Sequence, residues 1–468
     1  MSSATAAGVA IAPAPALSSR TRRLLEGPVA PTLLRLAAPN VLVMVLQAAV
    51  STLDAVFVGW LGSDALAGVS LVFPLVMLMQ TMSAGGMGGG VAAAVARNLG
   101  AGRRADADAL VVHALVIAAV MAGAFTLALE LAGPALYRAM GGDGAVLAAA
   151  MGYSRVIFGG ALAYWMLNTL GSVVRGTGNM ALPATATVAS GLVYLALSPA
   201  LILGWGPLPR LGIAGAATAS VTAFGLAALG LLGFLLSGRG LARPALHGRG
   251  LRAGLFWEIL RVGAPGSLNT ILTNLTVVLL TALVGPFGPA ALAGYGLGAR
   301  LEYLQIPIVF GLGSGLVTLV GTSVGAGDRA RALRVAWAGA GMAAAITGTI
   351  GIGAALFPQT WLGLFTSDPA VLAAGTRYLR IVGPCYGFLG AGLALYFASQ
   401  GAGRLLWPLL SAVARLAIAA AGGWLATAVL GGGLAGLFAA MAVALVAMGC
   451  INVAAVHLGA WGRGRDTA

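Results

Sequence analysis

The stretch "LQAAVSTLDAVFVGWLG" (residues 46–62) is apolar enough to lie inside a membrane-spanning helix, yet it carries Asp54, with no Arg nearby to neutralise it. Whether it spans a membrane decides the fold. Around it, 59% of the 468 residues are hydrophobic and 8% are charged. Mean hydropathy is +0.97. A soluble domain would carry about 25% charged residues. Apolar runs recur along the whole chain, each long enough to cross a hydrocarbon core of about 30 Å. The fold class expected is an all-α polytopic membrane protein. A transmembrane β-barrel would instead show alternating segments of about ten residues.

The net charge of +14 comes from 26 basic and 12 acidic residues, and every basic residue is Arg. With so much Ala and Gly, this composition suggests a GC-rich bacterial genome, hence a bacterial inner membrane. It does not imply nucleic acid, because the Arg residues fall in loops on one side, as the positive-inside rule expects. Cys385 and Cys450 lie in apolar helices and read as core residues, not as a disulfide or metal site. Residues 1–31 are rich in Ala, Pro and Ser, end in a basic cluster and lack an apolar signal region. They read as a disordered cytoplasmic tail whose removal, as residues 1–28, should leave transport nearly unchanged.

Gly, Pro and charge divide the chain into twelve spans: 33–61, 65–98, 107–136, 145–174, 181–204, 212–237, 258–285, 290–324, 332–357, 371–400, 405–430 and 433–459. With that count, the Arg clusters before span 1, after spans 2 and 8, in the central loop and at the C-terminus share one side. Both termini are then cytoplasmic. The chain also repeats itself. "LGAGRRADADA" (99–109) matches "VGAGDRARALR" (324–334), "GYSRVIFGG" (152–160) matches "RYLRIVGPC" (377–385), and Pro39 matches Pro265, at an offset of 225 or 226. Two pseudo-symmetric six-helix bundles, 32–237 and 258–460, are expected, with a basic linker at 238–257 and a tail at 461–468. Six spans per half make the repeats parallel, with substrate bound between or inside the bundles and alternating access by rocking.

Asp54 lies about 10 Å below the outer end of span 1 at 1.5 Å per residue. A carboxylate there costs about 2.5–3.5 kcal/mol on insertion scales. Asn40, Met44, Gln47, Ser51 and Asp54 fall on one helical stripe, expected to face a cavity in the N-terminal bundle. The repeat partner of Asp54 is Leu280, so the halves are chemically unequal. Span 7 is polar without charge, at Asn269, Thr270, Thr273, Asn274 and Thr276. These residues either line a substrate path or bond across helices. In span 8, Arg300 and Glu302 do not face each other, and each should find a partner elsewhere, with Arg380 and Arg415 as candidates. Glu130 lies near the outer end of span 3, where it can reach water. Tyr153, Tyr164, Trp165 and Tyr194 with Asn168 are candidate cavity residues, since aromatic faces attract organic cations. His113 and His457 read as structural, and "GGMGGG" (85–90) as a site of close helix approach. No catalytic constellation, metal cluster or nucleotide loop is evident, so an enzyme or ATP-driven pump is not expected.

"STLDAVFVGWLGSDALAG", "NLGAGRRADA", "SVGAGDRARA", "GTGNMALP", "LGIAGAATAS" and "YGLGARLEYLQIP" resemble motifs of the multidrug and toxic compound extrusion (MATE) family, over about residues 30–460. The "ARLE" element resembles its DinF-like branch more than its NorM-like one. The resemblance implies a cation-driven antiporter exporting organic cations and amphiphilic drugs, and it places the family's first-helix acid on Asp54. The DinF-like pattern Asn-x-x-x-Asp-Pro falls on Tyr194, Ser198 and Pro199, and the NorM-like acids of helices 7 and 10 on Thr273 and Leu389. A sodium site wants several oxygen ligands, so H⁺ coupling through Asp54 is favoured over Na⁺, with no other cofactor. The partners expected are small cationic or amphiphilic substrates and membrane lipid, with the chain acting as a monomer. The alternative is a flippase for lipid-linked sugars, which would want a basic central cavity; Arg155, Arg300, Arg380 and Arg415 are its candidates.

Overall fold

The computed structural model describes residues 18–248 and 250–461; the side chains of residues 44, 45, 48, 49, 51, 52 and 55 lie outside that description. Among the described residues, twelve helical spans follow one another. They are Val29–Gly59, Ser63–Gly100, Arg104–Ala139, Gly144–Gly159 with Ala161–Gly176, Ala181–Leu203, Ile213–Leu236, Ala253–Phe287, Pro289–Gly325, Arg329–Leu356, Pro369–Ala402, Leu406–Val429 and Gly433–His457. The fourth is bent by 45° at Gly160. No strand occurs among the described residues. Backbone polar groups have no water to bond in hydrocarbon, so the chain satisfies them within helices. Pro39 and Pro265 sit inside spans 1 and 7 without ending them.

The repeat organises the packing between the halves. In span 2, Gly86 lies against Ser267 and Gly90 against Gly263 of span 7. Their repeat partners in span 8, Gly311 and Gly315, lie against Val41 and Leu33 of span 1. At the end of the bundle that carries the central linker, a Cβ on Gly100 would strike the Thr322 carbonyl. A Cβ on Gly325 would strike the Arg97 carbonyl. Those four residues are two repeat-related pairs, so the contact is a pseudo-twofold clasp. The "GGMGGG" run provides close approach, and residues Met82–Met87 form a π-helical turn.

Side-chain hydrogen bonds between the halves, among the described residues, all lie nearer the linker end. Asn40 Nδ2 donates to Ser314 Oγ at 2.7 Å, Asn98 Nδ2 to Glu258 Oε1 at 3.0 Å, and Thr318 Oγ1 to the Arg175 carbonyl at 3.0 Å. Gln400 Nε2 donates to the Gly85 carbonyl at 3.1 Å, and the buried Arg97 donates to the Gly401 carbonyl at 3.2 Å. The bundle is thus tied at one end.

The N-terminal segment is not all tail. Ser19–Glu26 is a helix capped by Ser18, whose Oγ accepts from the Thr21 amide. Leu24 is buried, and Arg331 donates to the carbonyls of Leu24 (2.9 Å) and Gly27 (2.6 Å). The expectation of a disordered segment over 1–31 is therefore corrected for 18–31; residues 1–17 and 462–468 lie outside the described residues. Composition misled because one guanidinium satisfies the free carbonyls at a short helix's end. Deleting residues 1–28 is now expected to impair the protein. Arg331→Ala should lower its thermal midpoint by several degrees, at about 2 kcal/mol for lost hydrogen bonds to a charged group; an unchanged melting curve would contradict this.

The linker is also held. Asp108 accepts from the Arg243 amide at 2.9 Å and pairs with His247 at 3.0 Å. His113 Nδ1 bonds to the Ala109 carbonyl, while its Nε2 accepts from the Arg252 amide at 2.8 Å. His113 has a structural place here, joining the linker to span 3.

Candidate functional site

Asp54 stands one and a half turns from the end of span 1 opposite the linker, and is half-buried. Span 5 places Tyr194 beside it. The Tyr194 hydroxyl donates to Asp54 Oδ1, and Ser198 Oγ, one turn along, donates to Tyr194 Oη at 3.3 Å. Tyr194 and Ser198 are buried. Pro199 follows inside a helix that runs on to Leu203. The span 5 positions where the resemblance puts Asn and Asp thus meet the first-helix acid in space, but bring neutral hydroxyls. The result is one carboxylate with a relay of two hydroxyl groups. It can exchange one proton, or present one negative charge to a cation.

The rest of the stripe divides. Asn40 is buried and bonded across to Ser314, so it belongs to the contact between halves and not to a cavity of the N-terminal bundle. Span 1 runs from the end where the halves are tied to the opposite end, so a single stripe serves two purposes. Gln47 is exposed, and the Ser51 side chain lies outside the described residues.

Tyr164 is also placed differently from the expectation of a cavity residue. It is buried, with its hydroxyl 2.6 Å from Ser220 Oγ and its ring edge-on to Phe224 at 4.4 Å. Asn168 Nδ2 donates to Ser83 Oγ at 2.8 Å, joining span 4 to the π-helical turn of span 2.

The second half gathers its polar groups around a separate cavity. Asn269, Thr273 and Thr276 of span 7 face Ser411, Arg415 and Asn452 there. Asn274 points elsewhere, exposed and bonded back to the Thr270 carbonyl. Glu302 of span 8 pairs with Arg415 Nη2 at 3.1 Å and accepts from the Tyr378 hydroxyl at 3.2 Å. Arg415 is thus the partner that Glu302 needed, and Arg380 forms no ion pair among the described residues. Arg300 lies over the Phe365 ring at 5.8 Å. Glu130 sits 3.9 Å from Arg155, both well exposed, where such a pair contributes little. Removing the Glu302 charge leaves Arg415, whose side chain is only 12% exposed, without its counter-charge. Glu302→Gln is therefore expected to cost about 3 kcal/mol of stability, read as a lower thermal midpoint; an unshifted midpoint would refute the pairing's importance.

Sequence reasoning missed two groups. Arg97 with Glu258, 3.6 Å apart, closes the linker end. Arg175, at the linker end of span 4, carries no motif that would single it out in the sequence; the span's other charged residue is Arg155, in its opposite half.

Comparison with known proteins covers nearly the whole chain. The family model described as MatE matches twice, over residues 39–200 and 265–425. A Shewanella oneidensis protein named "FAD transporter" is 28% identical over 80% of this chain and 82% of its own length. A Deinococcus radiodurans protein named "Probable multidrug resistance protein NorM" is 32% identical over 75% of this chain and 77% of its own. A solved structure described as MATE in the bent conformation superposes with a TM-score of 0.87 at 22% identity, covering 95% of this chain and 99% of that one. With two matching halves, twelve helical spans and these relatives, the chain belongs to the MatE family of multidrug and toxic compound extrusion transporters.

Proposed function

We propose that this transporter is a proton-coupled antiporter that exports organic cations and amphiphiles, with Asp54 as the coupling group. The observation that carries the reading is the site's make-up: one carboxylate that accepts from the Tyr194 hydroxyl, which in turn accepts from Ser198. One titratable group suits a proton that competes with a cation. A sodium ion would want more oxygen ligands than this pair offers once the tyrosine proton is committed to Asp54. The Arg asymmetry supports a cytoplasmic linker end. The halves are tied at that end, which supports reading the conformation as outward-facing. Within the family, the "ARLE" element favours the DinF-like branch.

A flippase for lipid-linked sugars has less support. Arg155 and Arg415 each sit against an acid, and the first-half site is acidic. The relative named an FAD transporter makes a flavin nucleotide the cargo to exclude. Purified protein in vesicles should move ethidium against its gradient when a pH gradient is imposed, and not when a Na⁺ gradient alone is imposed. Ethidium transport driven by Na⁺ alone would overturn the proton assignment, and flavin nucleotide movement without ethidium movement would overturn the cation cargo.

A further inference from the structure

Between the two halves, near the pseudo-twofold axis, lies a recess lined by residues of spans 2, 4, 8 and 10, among them Gly89, Arg175, Ser314 and Gln400. Arg175 and Gln400 are repeat partners, as are Gly89 and Ser314. The recess is therefore a symmetric frame that one half furnishes with a charge and the other with an amide.

The Arg175 guanidinium is unusual in direction and in company. Its residue is the last but one of span 4, next to Gly176. A lone Arg at a span end ordinarily extends toward the head groups, or toward the last carbonyls of its helix. Here it runs the other way. Nη2 donates to Ser172 Oγ at 2.7 Å, and Nη1 lies 3.4 Å from where a Cβ on Gly171 would stand. The charge is thus carried back toward the membrane centre. Among the described residues, no Asp or Glu forms an ion pair with it. Its other N–H groups have no hydrogen-bond acceptor there either. Beside it, the fully buried Gln400 donates to Gly85 and Tyr396, while its Oε1 has no partner.

An unpaired charge held inside a membrane protein is costly and marks a ligand path. A guanidinium fork fits planar or tetrahedral oxyanions in bidentate fashion. The recess also sits where the halves meet, since the Arg175 carbonyl accepts from Thr318 of span 8. A ligand there would lose its seat when the linker end opened.

We propose that Arg175 is a substrate-binding residue that takes the carboxylate or phosphate of a cargo molecule, so that this transporter carries zwitterionic and anionic amphiphiles as well as cations. The proposal rests on the transporter reading above and extends its substrate class. Asp54 and Arg175 then hold opposite charges in different parts of the molecule, one in the first half and one between the halves.

The test uses the purified full-length chain and two dyes with the same ring system: a rhodamine with a free carboxylate, and its methyl ester. Binding is read by fluorescence anisotropy, with inorganic phosphate and a short-chain phosphate monoester as competitors to separate carboxylate from phosphate preference. Arg175→Gln should weaken the carboxylate dye about tenfold or more, the loss of one charge-assisted contact, and leave the ester within about twofold. Arg175→Lys should recover part of the difference. Equal weakening of both dyes by Arg175→Gln would assign the residue to structure and overturn the proposal. So would no weakening of either. Wild-type binding of the ester alone overturns it while leaving the cation reading intact. Binding of the carboxylate dye alone supports it and overturns the cation reading. Binding of neither dye overturns both.

Discussion

Asp54→Asn is expected to abolish pH-driven efflux in vesicles, down to the passive leak, in protein that still folds and inserts. The amide keeps the shape and can still accept from the Tyr194 hydroxyl that now meets Asp54 Oδ1. It cannot bind or release a proton. In the native site, raising the pH ionises the carboxyl and strengthens cation binding; lowering it neutralises the group and releases the cation. Binding of a cationic dye should therefore rise with pH across about pH 5 to 8 in the wild type and stay flat in Asp54→Asn. At the upper end the variant should bind about 10- to 100-fold more weakly, for a lost charge-assisted contact of about 1.5–3 kcal/mol. Glu302→Gln should keep the wild-type slope, because Glu302 is committed to Arg415 and Tyr378 in the other half. Loss of the slope in the Glu302 variant, with retention in the Asp54 variant, would move the proton site to the second half.

The second large effect is expected at the clasp. Gly100→Val together with Gly325→Val should stop transport, because each side chain would occupy the space of a backbone carbonyl from the other half. Backbone cannot step aside as a flexible side chain does. The linker end would be wedged apart, at an overpacking cost of about 1–3 kcal/mol per site, and the sealed state would be depopulated. Efflux should fall to leak, while Asp54, in the half of span 1 opposite the linker, keeps its local partners. Cationic dye binding measured in detergent should therefore survive within a few-fold. Normal efflux by the double variant would mean that the close approach is not required for the cycle. Gly100→Ala alone should be damaging too, since even a Cβ meets the Thr322 carbonyl.

Much of this architecture was legible in the residues. Hydropathy and Gly/Pro punctuation gave span limits within a few residues of the helices, because in hydrocarbon the backbone has few ways to satisfy its polar groups other than to form helices. The 225-residue offset between "LGAGRRADADA" and "VGAGDRARALR" foretold a repeat, and the structure turned that motif into the two sides of one clasp. The N-terminal helix was misread because its stability comes from Arg331, some 300 residues away, and not from its own composition.

What the sequence by itself determined was class, span count, repeat and the isolation of Asp54, all properties of local composition and period. Only the tertiary structure decided what each polar residue faces. Asn40 and Asp54 share a helical stripe, yet one is locked to Ser314 across the halves and the other to Tyr194 within its own half. Arg175 is a basic residue at a span end, and only the packing shows that its side chain turns back from that end to Ser172. A helix period fixes which residues share a face; which neighbour covers that face depends on how twelve helices pack, and that is set by contacts hundreds of residues apart.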